Sequence, residues 1–242
     1  MTVFLLGLLE HALSDFVFQG ERTVTAKKRG KFLDFFSHAI SVAIFTGLFL
    51  LPLYGLNPLW FALCVFFFHF VIDFLKYLVD KVLEKSKRGY KPLTFVFDQV
   101  LHILSLFIVA DIFQYYKRPG FTTFLEQNPT TNTLLAIAIV YIFVVFGGSY
   151  FIRLLLDTLP DTEIQEQKNA NKGKLIGLLE RSLLLTLWIT GNPSGVAIVL
   201  TAKSIARFKE FDDKDFAEYY LIVTLTSTLI AVLGGIILKL VM

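Results

Sequence analysis

The sequence predicts an all-α fold, a polytopic transmembrane bundle of about eight helices, on three observations. The 242 residues are 55% hydrophobic and include 26 Phe, with a mean hydropathy of +0.64, far above the apolar share of a soluble domain. Apolar residues gather into runs of roughly 17 to 25, the length that carries a helix across a bilayer. The breaks between runs alternate between basic segments and Pro- or Gly-containing turns, the pattern of loops on two membrane sides. The formal charge of +3 is small and sits in those loops, so no nucleic acid is expected as a partner. The single cysteine, Cys64, lies inside an apolar run; it rules out an intrachain disulfide and reads as apolar filler.

The first span, about Thr2 to Gln19, lacks the basic flank of a cleaved signal and is interrupted by Glu10, His11 and Asp15. It reads as a retained helix. The loop 20–31 sets Arg22, Lys27, Lys28, Arg29 and Lys31 against Glu21 and reads as cytoplasmic. A second span, about Phe32 to Leu53, ends at the short uncharged turn between Pro52 and Pro58, and a third runs from about Leu59 to Val79. The next loop, 80–91, is basic again through Lys81, Lys85, Lys87, Arg88 and Lys91. The fourth span starts at Pro92, a residue suited to a first helical turn, and ends near Tyr115. An external loop, 116–131, precedes a fifth span from about Asn132 to Leu159, stopped by Pro160. The sixth span, about Leu175 to Thr190, is broken by Gly191, Asn192 and Pro193. The seventh, Ser194 to Phe208, is short enough to be tilted or re-entrant, and the eighth covers about Phe216 to Leu240. Residues 1–115 thus form a four-helix half and 131–242 a C-terminal transmembrane half, while the mixed-charge segment 161–174, the longest polar cytoplasmic stretch, is the favoured boundary between two halves. Eight spans place both termini outside.

The N-terminal half contains a tandem hairpin repeat. HALSDF at 11–16 resembles HFVIDF at 69–74, and after a two-residue insertion Lys31 overlies Lys91 and His38 overlies Asp98. Two hairpins related by an approximate two-fold axis along the membrane normal would bring their polar residues together. Counted inward from the cytoplasmic helix ends at about 1.5 Å per residue, Asp15, Asp73 and Asp98 share one level. His11, His69 and His102 share a level just above, with His38 nearer the aspartates. The pairs His11 with Asp15, His69 with Asp73, and Asp98 with His102 are each four residues apart, so each lies on one helix face. These are all four histidines, one on each of four consecutive spans.

An ionisable side chain at membrane depth is costly and marks function by default. Imidazole nitrogen and carboxylate oxygen are the usual ligands of zinc and similar ions. His11, Asp15, His38, His69, Asp73, Asp98 and His102 therefore form a candidate site for one or two divalent metals, zinc first, with manganese, iron and magnesium as alternatives. A dication would also offset three aspartates that could not all ionise unaided in a low-dielectric site. The competing readings are a proton or ion pathway and plain interhelical hydrogen bonding, worth roughly 0.6 to 2 kcal/mol per contact. Gln19 and Gln99 sit beside the carboxylates, where they could orient a ligand or serve as structural amides. Glu10 lies deepest and Asp34 is interfacial.

In the second half Glu180, Arg181, Lys203 and Arg207 lie towards the same side and fit an anionic group such as phosphate. The plain alternatives are snorkelling of Lys203 and Arg207 and an ion pair between Arg181 and Glu180. Because a dication acidifies bound water and clamps phosphoryl or carbonyl oxygens, the expected function is a metal-dependent hydrolase. Its substrate would be a phosphate- or ester-bearing lipid at the cytoplasmic leaflet. Asp15, Asp73 or Asp98 would be the general base; Arg181, Lys203, Arg207, Glu180, Gln19 and Gln99 would line the substrate. The expected partners are membrane lipids and a small-molecule or lipid substrate. A transporter or channel would need polar residues through the outer leaflet, where spans two to four carry mainly Phe, Leu, Ile and Val apart from Thr46 and Asp111. A signalling protein with a structural metal is a third class.

The motifs HALSDFVFQ, HFVIDF and DQVLH, then GKLIGLLER, AKSIARF and AEYYL, resemble a family of small bacterial polytopic membrane proteins catalogued as a domain of unknown function. The resemblance covers nearly the whole chain and implies a multi-pass protein of the bacterial inner membrane, with no activity attached. More loosely, His and Asp paired at helical spacing are similar to sites in zinc-dependent phospholipases C and in metal-dependent inner-membrane hydrolases, a likeness of ligand type.

Overall fold

The computed structural model describes residues 1–19, 27, 30–54, 58–84, 89–114, 129–158 and 170–241. Among them are eight helices and no strand. Helix α1, Thr2–Ala12, passes directly into a π-helical turn, Leu13–Phe18. Then come α2, Phe32–Tyr54, α3, Pro58–Leu83, and α4, Lys91–Gln114. Helix α5 begins as Pro129–Ile142, opens into a π-helical turn at Phe143–Gly147 and continues over Gly148–Leu156. Helices α6, Ala170–Ile189, and α7, Pro193–Ala206, are followed by a 3₁₀ turn, Phe208–Asp212, and α8, Lys214–Val241. The basic residues Arg22, Lys28, Arg29, Lys85, Lys87 and Arg88, most of the loop expected at 116–131, and most of the segment 161–174 lie outside the described residues.

Five helices, α2, α3, α4, the whole of α5 and α8, are long and apolar enough to cross a membrane. Helix α7 has 14 residues, a rise of about 21 Å against the ~30 Å of a hydrocarbon core, so its shortness is real. The break before it follows from local chemistry. Gly191 has φ +76°, a conformation that disfavours a side chain. The Asn192 side chain accepts a hydrogen bond from the Gly195 N–H at 3.0 Å, and Pro193 occupies the first helical position, where no N–H is needed.

Polarity runs opposite to that of a soluble protein. Trp60 and Leu33 are 75% and 73% exposed, while His11, His69 and His102 are all but fully buried. Lipid covers the apolar faces, and polar side chains must find partners inside. Cys64 shares the outward face of α3 with Leu63 and Phe67.

Two compact units are formed, Met1–Ile139 and Val140–Met242, the division falling within α5. In the first, α1 packs on α2 and α4, and α3 packs on α2 and α4. The four helices therefore close a ring, the order that a two-fold relating α1–α2 to α3–α4 requires. Phe66, Phe70 and Phe74 recur every four residues and so share one face of α3. Against it pack Phe36, 5.4 Å from Phe66, and the buried Phe35, edge-on to Phe74 at 5.7 Å. Such aromatic contacts hold the two helices in register. The second unit has its own core, in which Leu184, Leu185, Val144, Val196 and Ala231 pack together. Gly234 and Gly235 of α8 admit close approach there, since a Cβ on either would overlap Val144 or Trp188.

Before α2 the chain makes a turn in which the Gly30 N–H donates to the Lys27 carbonyl at 3.0 Å. Gly30 has φ +69°, and a Cβ there would overlap the Tyr77 hydroxyl of α3. Both facts demand glycine. Gly30→Ala is expected to destabilise the first unit by about 2 kcal/mol, read as a lowered thermal midpoint in detergent; Gly47→Ala, where a Cβ meets nothing within 4 Å, is the control and should change little.

Candidate metal centre

The ring of α1 to α4 turns every histidine of the chain inward, and the four imidazoles meet. The His69 ring lies 4.4 Å from that of His102, 5.0 Å from His38 and 5.6 Å from His11, and His11 stacks on His102 at 4.8 Å. The helical spacing of four explains why His11, His69 and His102 each point with an aspartate. The π-helical turn at the end of α1 carries Asp15; such widened turns are frequent at functional sites.

Four ligand atoms from two helices and this turn stand out. His38 Nε2 lies 3.2 Å from Asp15 Oδ1 and 4.0 Å from Asp73 Oδ2. His69 Nε2 lies 3.6 Å from Asp15 Oδ1 and 3.5 Å from Asp73 Oδ2. Ligand atoms placed tetrahedrally at zinc-like bond lengths are about 3.3 Å apart, and the four histidine-to-aspartate separations bracket that value; two triads, His38 with His69 and Asp73, and His11 with Asp15 and His69, have all their ligand atoms within 4.8 Å of one another. Three of them are too long for hydrogen bonds, and the His69 Nε2 atom is buried with no hydrogen-bond partner. An N₂O₂ set of this kind is a zinc-type donor set.

The remaining predicted ligands border this quartet. His11 Nδ1 is 3.8 Å from Asp15 Oδ2. His102 Nδ1 is 2.9 Å from the Asp98 main-chain carbonyl. A carbonyl only accepts, so Nδ1 carries the proton and Nε2 presents a lone pair. That Nε2 and the one of His11 are buried without hydrogen-bond partners, and a ring N–H held by a carbonyl is the usual support of a metal-ligating histidine. Asp73, Asp98 and His102 can present one ligand atom each within 4.8 Å of one another. A small cavity against the histidines is lined by His11, His69, His102, Ser105, Val65 and Phe68.

The amides act as supports. Gln99 donates to Asp98 Oδ2 at 3.1 Å. With its amide turned to satisfy both ends, Gln19 donates to the Asp15 carbonyl at 3.2 Å and accepts from Lys27 Nζ at 2.9 Å. Glu10 stands apart from the ligands, its two oxygens accepting hydrogen bonds from Ser14 at 2.5 Å and Thr46 at 2.7 Å.

Lys27 is the site residue that sequence reasoning missed. Its ammonium lies 2.5 Å from Asp73 Oδ2. In the sequence it is one of five basic residues in a loop, and nothing in its spacing separates it from its neighbours.

The four residues assigned to an anionic substrate belong to the second unit, and the structure shows partners for each. Glu180 takes its ion pair from Lys203, Nζ to Oε2 2.6 Å, and not from Arg181. Lys203 also donates to Thr224 at 3.0 Å and lies over the Tyr220 ring. Arg181 donates from Nε and Nη2 to the Val145 carbonyl at 3.2 and 3.0 Å. That carbonyl lies in the π-helical turn of α5, where the regular ladder is disturbed and a carbonyl needs an outside donor. Gly177 leaves the slot for the guanidinium, since a Cβ there would lie 3.3 Å from Arg181 Nη1. Arg207 is exposed and pairs with Glu210 at 2.7 Å.

No curated protein and no solved structure matches this chain. A family model described as a protein of unknown function, DUF3307, matches residues 3–131. The motifs GKLIGLLER, AKSIARF and AEYYL lie beyond that match, so the likeness expected over nearly the whole length is carried by the N-terminal part. Because the matched segment spans just over half of the 242 residues and holds all seven candidate ligands, the chain belongs to the DUF3307 family of proteins of unknown function.

Proposed function

We propose that this chain is a metal-dependent hydrolase of the bacterial inner membrane, acting on a phosphate- or ester-bearing lipid at the cytoplasmic leaflet. The observation that carries the reading is the quartet of His38, His69, Asp15 and Asp73, buried among lipid-facing helices with separations suited to one dication. A dication there, zinc in the first instance, supplies Lewis acidity to a phosphoryl or carbonyl oxygen and to water. Asp98 lies outside the quartet, with Oδ1 buried and without a hydrogen-bond partner, and is the carboxylate left to take a proton as general base. His102 and His11 border the site and hold the remaining lone pairs.

The test is elemental analysis of the purified protein together with phosphate or fatty-acid release from phospholipid vesicles in added Zn²⁺. Near-stoichiometric metal and turnover that falls at least ~100-fold in His69→Ala are expected. Protein that neither retains nor binds zinc, manganese, iron or magnesium would end the metal reading. Turnover that survives His69→Ala would end the hydrolase reading alone. A proton or ion pathway is the second reading, favoured by Glu10 and Thr46, which continue the buried polar chain beyond the histidines; ion flux in liposomes without lipid turnover would select it.

A further inference from the structure

We propose that Lys27 is the built-in second cation of the centre, occupying with its ammonium the place a second divalent ion would otherwise take against Asp73. The inference rests on the metal reading above and deepens it, because it sets the stoichiometry at one ion. Seven ligand groups could in principle serve two metals, so the question is which cations the site is built to hold.

Charge decides it. When all three aspartates are ionised, as a bound dication favours, they bring three negative charges, and the histidines are neutral when they ligate. One dication and one ammonium sum to the opposite charge, so the site closes to neutrality with Lys27 in place. Two dications beside Lys27 would leave two positive charges among buried groups, at a high cost in a low-dielectric interior. Among the described residues, Lys27 is the single Lys or Arg paired with any of the three aspartates. Lys76 is paired with Asp80 at 3.0 Å and acts on Asp98 electrostatically from further off.

Placement supports the same role. Lys27 Nζ contacts Asp73 Oδ2, the oxygen that also faces His38 and His69. Gln19 accepts from the same ammonium, and the Gly30 turn against Tyr77 fixes the Lys27 carbonyl. An exposed lysine merely balancing a membrane-side loop would not have all three. The side chain is only 16% exposed, so its charge is felt at short range with little screening by solvent. A carboxylate oxygen has room for a metal and a hydrogen-bond donor together, so Lys27 stays on Asp73 when the ion binds, holds that oxygen in place and repels any further cation.

The experiment is Zn²⁺ and Co²⁺ titration of the full chain in detergent, by chelator competition and elemental analysis, for the native protein and for Lys27→Met and Lys27→Arg. The native protein and Lys27→Arg are expected to take up one equivalent. Lys27→Met should bind the first ion roughly tenfold more tightly or take up a second equivalent, because one positive charge at contact distance is gone. Native protein that holds one ion while Lys27→Met shows unchanged or weaker affinity and no added equivalent would overturn the role of Lys27 and leave the metal centre standing. A native protein that takes up two equivalents would overturn it as well. A native protein that binds no ion overturns both. Should Lys27→Met fail to fold, Lys27→Gln is used, with its thermal midpoint checked against that of Lys27→Arg and the same outcomes required.

Discussion

Asp73→Asn is expected to weaken divalent-ion binding by at least about 100-fold, the largest effect of any conservative substitution in the chain. The side chain keeps its size and loses its charge, and Asp73 Oδ2 is the atom on which the site converges. His38 Nε2, His69 Nε2 and Lys27 Nζ all lie within 4.0 Å of it. An amide there offers a weaker oxygen or, turned over, an N–H that repels both the ion and the ammonium. Asp15→Asn should do the same, since Asp15 Oδ1 provides the other two edges of the quartet. His11→Ala is the informative contrast. Its Nδ1 faces the other oxygen of Asp15 at 3.8 Å, so its loss should cost roughly tenfold, the size of a supporting interaction. Chelator competition with Zn²⁺ separates the cases. Equal losses for Asp73→Asn and His11→Ala would remove the quartet as the centre, and undiminished binding in Asp73→Asn would remove the centre altogether.

In the second unit Lys203→Met is expected to destabilise the fold by about 3 kcal/mol. Glu180 is buried, its Oε1 has no hydrogen-bond partner and its Oε2 relies on Lys203. Removing the ammonium leaves a buried carboxylate without a hydrogen bond, the costly half of a broken ion pair. Arg181, the next residue, spends two of its donors on Val145 and does not replace the lost bond. Because Lys203 is itself about one-fifth exposed, its own desolvation contributes little, and nearly all of the effect is the stranded Glu180. Combining Lys203→Met with Glu180→Gln should therefore recover most of the loss, and the double-mutant cycle gives the coupling. Unfolding in mixed detergent, followed by tryptophan fluorescence, reads this out. Additive losses would show that the 2.6 Å contact contributes nothing to stability.

Much of the first unit is legible in the sequence alone. In a helix surrounded by lipid a polar side chain has one favourable direction, inward. Period and depth then place His11, Asp15, His69, Asp73, Asp98 and His102 on meeting faces, and the repeat adds His38. The π-helical turns were not legible, because a run such as LSDFVF has nothing to distinguish one extra residue per turn from a regular helix. Neither was the partner of Glu180. Arg181 is its neighbour in sequence, but consecutive helical residues point about 100° apart, and it is Lys203, from another helix, that arrives in front of it.

What the sequence determined by itself is therefore the class of the protein, the helices, and the set of ionisable groups that must share an interior, since burial in lipid leaves them no other solution. The tertiary structure decided which of those groups come within ligand distance of one another, that His102 presents Nε2, and that a lysine from a loop closes the site against Asp73. Those choices depend on how closely helices distant in sequence approach and on a left-handed turn at Gly30 packed under Tyr77. Such separations of a few tenths of an ångström are set by packing across the ring of α1 to α4 and are carried by no local pattern.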